Sequence, residues 1–124
     1  MTLFEECKEA LSPDFVVIEP QSQKDVVDVL NKYFLVNGNI AWSEIQHSDY
    51  EDINEILMKH NLKNDDVFVF ADDVGIPIFR TKLGSIAKNI YDVTALSSKL
   101  LIFNDEIILY PLFPTERIRF GIKN

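Results

Sequence analysis

The chain has 124 residues, of which 47% are apolar, so it can bury a hydrophobic core without disulfides or a structural metal. Twenty Asp and Glu residues against twelve Lys and Arg residues give a net charge of −8. This charge disfavours direct binding to nucleic acid and to an anionic membrane surface. No apolar run approaches the roughly 20 residues of a membrane-spanning helix. We therefore expect one domain over residues 1–124.

The N-terminus and the cysteine content favour a cytoplasmic protein. Glu5 and Glu6 occupy the region in which a signal peptide carries basic residues, and no long apolar stretch follows them. Cys7 is the only cysteine, which fits a reducing compartment and excludes an internal disulfide.

The first elements are a helix and a strand. Apolar residues recur at helical spacing over residues 2–11, and this pattern predicts an amphipathic helix that Ser-Pro at positions 12–13 ends. Its apolar positions are Leu3, Cys7, Ala10 and Leu11. Residues 14–19 are rich in β-branched and aromatic side chains and predict a strand that Pro20 closes.

A second helix is predicted to begin after Ser22, which we expect to act as its N-cap with Asp25 as the partner. Its apolar positions are Val26, Val29, Leu30, Tyr33 and Phe34. The Asn-Gly-Asn sequence at 37–39 is predicted to end it. Residues 40–42 then form a brief extended piece with the only Trp.

The middle of the chain predicts a third helix and a central strand. Ser48 and Glu51 match the S-x-x-E capping box, which places the helix over residues 49–60 with Asn61 as its C-cap. Residues 67–71 are apolar at every position, which is typical of a central strand covered on both faces.

The last third predicts a further helix and a strand meander. Residues 75–79 contain a proline and belong to an edge strand or a loop, whereas residues 82–91 show helical spacing. Residues 99–103 and 106–110 flank a two-residue hairpin turn, and residues 116–122 alternate as an antiparallel strand with one solvated face. Together the elements predict an α+β fold, with a mixed or antiparallel sheet of about five strands and about four helices.

The residues capable of catalysis do not form a recognisable set. Cys7 lies on an apolar helical stripe, where it is expected to behave as a small core residue. His47 and His60 match no zinc-binding spacing, and glycine-rich phosphate-binding motifs are absent. We therefore expect no catalytic residue, no metal site and no cofactor, so that the protein is not an enzyme.

Two acidic pairs flank the predicted central strand. Asp72 and Asp73 follow it directly, at a position where Mg²⁺-binding carboxylates often lie, and Asp65 and Asp66 precede it. A small metal-dependent hydrolase that uses Asp72 and Asp73 is therefore one alternative. Turn-forming, solvated acids explain the same residues.

Charge is distributed unevenly along the chain. Residues 1–73 hold 16 acids and 5 bases, whereas residues 74–124 hold 4 acids and 7 bases. Eight acids would stand close together if the third helix packed beside the central strand, and like charges repel unless a basic partner is bound. They are Asp49, Glu51, Asp52, Glu55, Asp65, Asp66, Asp72 and Asp73. Solvated surface, and first-turn acids that complement a helix dipole, are the alternative explanations.

Several short segments carry a family resemblance. Between residues 66 and 124 they are V-F-V-F-A-D-D, G-I-P-I-F, Y-D-V-T-A-L and R-I-R-F-G-I, and A-L-S-P-D-F and N-I-A-W-S-E-I precede them. In this order they resemble small immunity proteins of bacterial contact-dependent growth inhibition (CdiA/CdiI) systems. The resemblance implies a cytosolic protein that binds the C-terminal domain of its cognate toxin, commonly a nuclease, and blocks it.

The residues fit such an inhibitor independently of the resemblance. A nuclease presents a basic groove to its substrate, and an acidic protein can occupy that groove and gain association rate by electrostatic steering. We expect the eight acids, with Tyr50 as an aromatic anchor, to supply the contacts to the toxin. The basic strand around Arg117 and Arg119 is the alternative contact surface. An adaptor domain whose partner is not a toxin is the remaining alternative.

Overall fold

The computed structural model describes residues 1–36 and 39–123 of the chain, and these contain five α-helices and nine short strands. The helices are α1 (Leu3–Leu11), α2 (Pro20–Asn31), α3 (Ile53–Lys59), α4 (Leu83–Lys88) and α5 (Ile90–Thr94). The strands are β1 (Val16–Val17), β2 (Phe34–Val36), β3 (Asn39–Ile40), β4 (Gln46–Tyr50), β5 (Asp66–Ala71), β6 (Phe79–Lys82), β7 (Leu100–Phe103), β8 (Ile107–Pro111) and β9 (Ile118–Ile122). A 3₁₀ turn, Trp42–Glu44, precedes β4.

Within the described residues, seven strands form one antiparallel sheet in the order β1-β6-β5-β7-β8-β9-β4, and β2 pairs separately with β3. The α+β class and the C-terminal meander of β7, β8 and β9 are confirmed. The sheet exceeds the predicted size of about five strands, because β4 and β6 were not predicted as strands. The strands β4 and β1 form the two edges of the sheet, and β1 is only two residues long, shorter than the predicted strand.

Both faces of the sheet are covered. On one face, the alternate residues Val67, Val69 and Ala71 of β5 pack in a core that also holds side chains of α1, α3, α4 and α5. On the other face, Phe68 and Phe70 pack against a second core formed mainly by α2 and the Trp42 region. The prediction of an interior strand covered on both sides is therefore confirmed.

The predicted start of the third helix is wrong. Residues 46–50 form the edge strand β4, in which Ser48 pairs with Phe120 of β9. Asp52 is the actual N-cap, because its Oδ1 accepts a hydrogen bond from the N–H of Glu55 at 2.9 Å. The chain thus contains two consecutive capping patterns, Ser48 to Glu51 and Asp52 to Glu55. Because Ser48 lies in a strand that pairs with β9, it does not cap the helix.

The second helix also begins and ends earlier than predicted. It starts at Pro20, which suits the first helical position because that position needs no backbone N–H, and the predicted cap Ser22 lies inside the first turn. The helix ends at Asn31, well before the predicted stop at 37–39. The first two residues of that predicted stop lie outside the described residues.

The region predicted as a fourth helix contains a strand end and two short helices. Lys82 belongs to β6, and the non-helical backbone of Asn89 separates α4 from α5. The side chain of Asn89 donates a hydrogen bond to the carbonyl oxygen of Ser85 at 2.9 Å. Before β6, residues 75–78 form a loop, which was one of the two predicted alternatives.

The expected solvated face of the last strand is covered. Gly121 is buried and Arg119 is half-buried beneath the Trp42 turn. The guanidinium carbon of Arg119 lies 5.6 Å from the Trp42 ring centroid. A Cβ atom built on Gly121 would lie only 2.9 Å from Cγ2 of Ile45 and 3.1 Å from Trp42. The absence of a side chain at Gly121 therefore lets the Trp42 segment lie against the sheet.

This close approach predicts opposite effects for two glycine substitutions. Gly121→Ala should lower the free energy of unfolding by about 1–2 kcal/mol, because Trp42 and Ile45 must move. Gly84→Ala is the matched control, since nothing lies within 4 Å of its added Cβ. At the second position of α4 this substitution should raise stability by about 0.5–1 kcal/mol. Urea denaturation measures both, and changes of the same sign would contradict the packing argument.

Candidate functional site

The structure distributes the nine predicted contact residues over several places. Glu51 and Asp52 follow β4, and Asp72 and Asp73 follow β5. Because β4 and β5 run in the same direction and lie four strand positions apart, these pairs occupy one end of the sheet at a separation of about 19 Å. Glu116, in the β8–β9 turn, lies at the same end. We call these five acids the acidic end of the sheet.

Asp65 and Asp66 lie at the opposite end, since the six residues of β5 span about 17 Å. Both carboxylates face Lys82, with Nζ–Oδ1 distances of 3.8 Å for Asp65 and 2.6 Å for Asp66. The hydrogen bond that Lys82 donates to Asp66 raises the pKa of the exposed Lys82 amine. The eight acids therefore do not form one continuous cluster.

Asp49 is held by a base within the chain. Its two carboxylate oxygens accept hydrogen bonds from Nε and Nη2 of Arg119 at 2.9 and 3.3 Å. The hydrogen bond from Arg119 holds the pKa of Asp49 below its usual range, although partial burial opposes the shift. This pair joins the edge strand β4 to β9, so Asp49 is less available to a partner than an unpaired acid.

Tyr50, the predicted aromatic anchor, is half-buried against the main core. Its hydroxyl forms a 2.9 Å hydrogen bond with Nε2 of His60, and its ring lies edge-on to Phe120 with 6.1 Å between the centroids. These contacts with His60 and Phe120 hold the Tyr50 side chain in place without a binding partner. Its role in binding a toxin stays a prediction.

Asp72 and Asp73 are exposed, and each is placed by the turn after β5. Oδ1 of Asp73 accepts a hydrogen bond from the N–H of Gly75 at 2.8 Å, while the N–H of Asp72 donates to the carbonyl of Lys99 at 2.9 Å. Asp72 also lines a groove of about 470 Å³ beside Trp42. Across residues 1–36 and 39–123, no three His, Cys, Asp or Glu side chains form a group that could hold a metal ion.

A larger pocket, of about 680 Å³, opens between the start of α3, helix α5 and the β8–β9 turn. We call it the α3–α5 pocket. Its charged and aromatic lining consists of Glu51, Asp52, Tyr91, Phe113, Glu116 and Arg117. Tyr91 is 70% exposed and Phe113 is 72% exposed.

The pocket brings together residues that the sequence patterns did not single out. The Tyr91 hydroxyl donates a 2.8 Å hydrogen bond to Oε1 of Glu116 and thereby connects α5 to the β8–β9 turn. This hydrogen bond raises the pKa of Tyr91. Phe113 could have been noticed from the sequence, because it lies between Pro111 and Pro114 in a segment whose prolines favour a turn. No sequence pattern indicated the hydrogen bond between Tyr91 and Glu116.

The helices within the described part of the chain are all too short or too polar to cross a bilayer.

Exposed acids and a recessed pocket flanked by exposed aromatic side chains are features that protein-binding surfaces often have. The sequence matches the family model described as "CdiI immunity protein EcoliA0-like" over residues 1–121. The chain therefore belongs to this family of CdiI immunity proteins, in agreement with the resemblance, and its role is to neutralise a cognate toxin protein. A search of curated proteins found no match.

Proposed function

We propose that the protein acts in the cytoplasm, where it binds the C-terminal domain of a nuclease toxin and covers the groove that holds the nucleic acid. The observation that carries the proposal is the exposed acidic end of the sheet on a protein of net charge −8. A nuclease must attract phosphates with basic residues. An acidic surface is complementary to such a groove and accelerates association with it.

The acids are expected to contribute unequally. Glu51, Asp52, Asp72 and Asp73 are exposed at the acidic end, and Asp49, Asp65 and Asp66 face bases of the chain itself. Glu55 is half-buried in the first turn of α3. An acid that pairs with a desolvated base of the toxin contributes most to affinity, and an acid at a solvated rim contributes little. We therefore expect the main electrostatic contacts at the acidic end.

Charge reversal tests this expectation. The variant Asp72→Lys with Asp73→Lys should slow association with the cognate toxin domain by about 10-fold or more at low salt. Reversal of two exposed acids on α2, Asp25→Lys with Asp28→Lys, is the matched control and should change the rate by less than about 2-fold. Surface plasmon resonance at two salt concentrations measures both.

Equal association rates for the two variants would show that the acidic end is only a solvated surface. The contact surface would then lie elsewhere, and the strand around Arg117 and Arg119 would be the next surface to substitute. A rate that does not change with salt would contradict electrostatic steering in the same way.

Coverage of the groove is tested by competition. The toxin domain should cleave nucleic acid alone, and an equimolar amount of the immunity protein should stop cleavage and release nucleic acid bound to a cleavage-deficient toxin. A toxin that leaves nucleic acid intact would contradict the nuclease assignment. A ternary complex of toxin, immunity protein and nucleic acid would show that inhibition occurs away from the groove.

The same titration separates an inhibitor from the alternative hydrolase. An inhibitor without turnover reaches its end point at one immunity protein per toxin, whereas an enzyme acts below that ratio. We expect Asp72→Asn with Asp73→Asn to remain folded and to keep the stoichiometric end point, because asparagine can still make the turn hydrogen bonds. A metal-dependent hydrolysis that this variant loses would overturn the assignment.

A further inference from the structure

The α3–α5 pocket combines shape, exposed aromatic surface and charge in one place. We propose that it receives a protruding loop of the toxin domain and binds an Arg or Lys side chain of that loop. This inference rests on the proposed function and deepens it, since it places a specific contact beside the acidic end of the sheet.

The shape of the pocket suits a loop. Its volume of about 680 Å³ lies within the range of ligand-binding clefts and exceeds that of one side chain. Ile53, Leu100 and Ile118 are buried residues that line it, so its interior has an apolar floor. Apolar atoms of an inserted loop would displace water from that floor.

The aromatic side chains at the pocket are unusual for this protein. Of the Phe, Tyr and Trp residues that the structure describes with their side chains, only Tyr91 and Phe113 are exposed to solvent over most of their surface. Exposed aromatic residues beside a pocket are typical of the residues that dominate binding energy at protein interfaces. Their rings also offer faces on which a guanidinium or ammonium group can stack.

The charge of the pocket selects a basic occupant. The lining holds three carboxylates, those of Glu51, Asp52 and Glu116, and one base, Arg117. Tyr91 fixes the position of the Glu116 carboxylate. The Arg117–Glu51 pair is exposed, with 3.9 Å between Nε and Oε1, so it is a weak pair that an incoming cation can displace.

The groove beside Trp42 lacks this combination. Its charged lining residues are Asp72 and Lys99, whose formal charges cancel, and Trp42 and Tyr110 are half-buried. A basic loop therefore gains more from the α3–α5 pocket.

Filling the pocket tests the proposal. Ser98 is an exposed lining residue, and Ser98→Trp should weaken binding of the cognate toxin domain by about 30-fold or more, the loss expected at an interface hot spot. Ser22→Trp places the same side chain on the exposed surface of α2 and should change the affinity by less than about 3-fold. Calorimetry measures the affinities, and circular dichroism checks that both variants fold.

The identity of the occupant is tested by a charge swap. Glu116→Lys should weaken binding by about 30-fold, and replacing one Arg or Lys of the toxin by Glu should restore part of the loss. Glu44→Lys is the control on the Trp42 turn. If no basic residue of the toxin couples energetically to Glu116, the proposed occupant is wrong.

The outcomes separate this inference from the proposed function. If the wild-type protein fails to bind the toxin domain, both are overturned. If it binds and Ser98→Trp binds equally well, the pocket is not the docking site and the proposed function stands. Protection of residues 90–98 and 111–118 from hydrogen exchange on toxin binding would support the pocket, and protection confined to other segments would overturn it.

Discussion

Asn104→Ala is expected to lower the free energy of unfolding by about 3–4 kcal/mol. Asn104 is only 3% exposed, and its side chain makes four hydrogen bonds. Nδ2 donates to the carbonyls of Asn64 and Asp66 at 3.2 and 3.0 Å, and Oδ1 accepts from the N–H groups of Glu106 and Ile107 at 2.8 and 3.0 Å. Alanine would leave these groups without their partner at a largely buried site. Urea denaturation measures the loss.

Two further variants at the same turn sharpen the test. Asp105 is the exposed neighbour, and Asp105→Ala should change stability by less than about 0.5 kcal/mol. Asn104→Asp keeps an acceptor but sets a carboxylate against two carbonyl oxygens. It should therefore be destabilised at neutral pH and recover partly in acid, when the protonated carboxyl can donate. A loss below about 1 kcal/mol for Asn104→Ala would contradict this account of the turn.

Elements defined by local patterns were predictable from the sequence. The stripe that contains Cys7 and Leu11 faces the core from α1, and the continuous apolar run of β5 is buried between two cores. The β7–β8 hairpin forms where it was predicted, but three residues separate the strands instead of two, and Asn104 is the buried residue among them. Each of these three elements is recognisable from residues that are neighbours in the sequence.

Elements defined by distant partners were not predictable. Gln46–Tyr50 is polar and looks like the entry to a helix, but it forms a strand because β9 offers an edge with which it can pair. The Asp49–Arg119 pair joins residues 70 positions apart. The sequence pattern places Arg119 on a solvated face for the same reason, since nothing near it in sequence reveals that Trp42 covers it.

The candidate site shows the same division. Glu51, Asp52, Asp72 and Asp73 are among the toxin-contact residues predicted from the sequence, and the structure exposes all four. Their arrangement depends on the sheet order, which inserts three strands between β4 and β5. The α3–α5 pocket depends on the contact between Tyr91 and Glu116, which lie 25 residues apart on different elements.

The second large expected effect is a loss of stability in alkaline solution that depends on Cys7. Burial, with a smaller contribution from the charge of Asp92, raises the pKa of the Cys7 thiol from 9.0 to about 11. The folded state therefore holds the thiol proton more tightly than the unfolded state. Below pH 9 the thiol is protonated in both states, and stability should then fall by about 2–3 kcal/mol as the pH rises from about 9 to about 11.

Cys7→Ala isolates the contribution of the thiol. Burial also raises the pKa of Tyr33, so both proteins should lose stability above pH 10 from that group. At pH 8 the variant should be less stable by about 1 kcal/mol, because it leaves a small cavity beside α5. Between pH 9 and 11 the stability difference between the two proteins should shrink and then reverse. Only the wild-type chain has a thiol that ionises more readily in the unfolded state, so only the wild-type protein loses this stability. Parallel stability curves from urea denaturation across this range would contradict the burial of a protonated thiol at position 7.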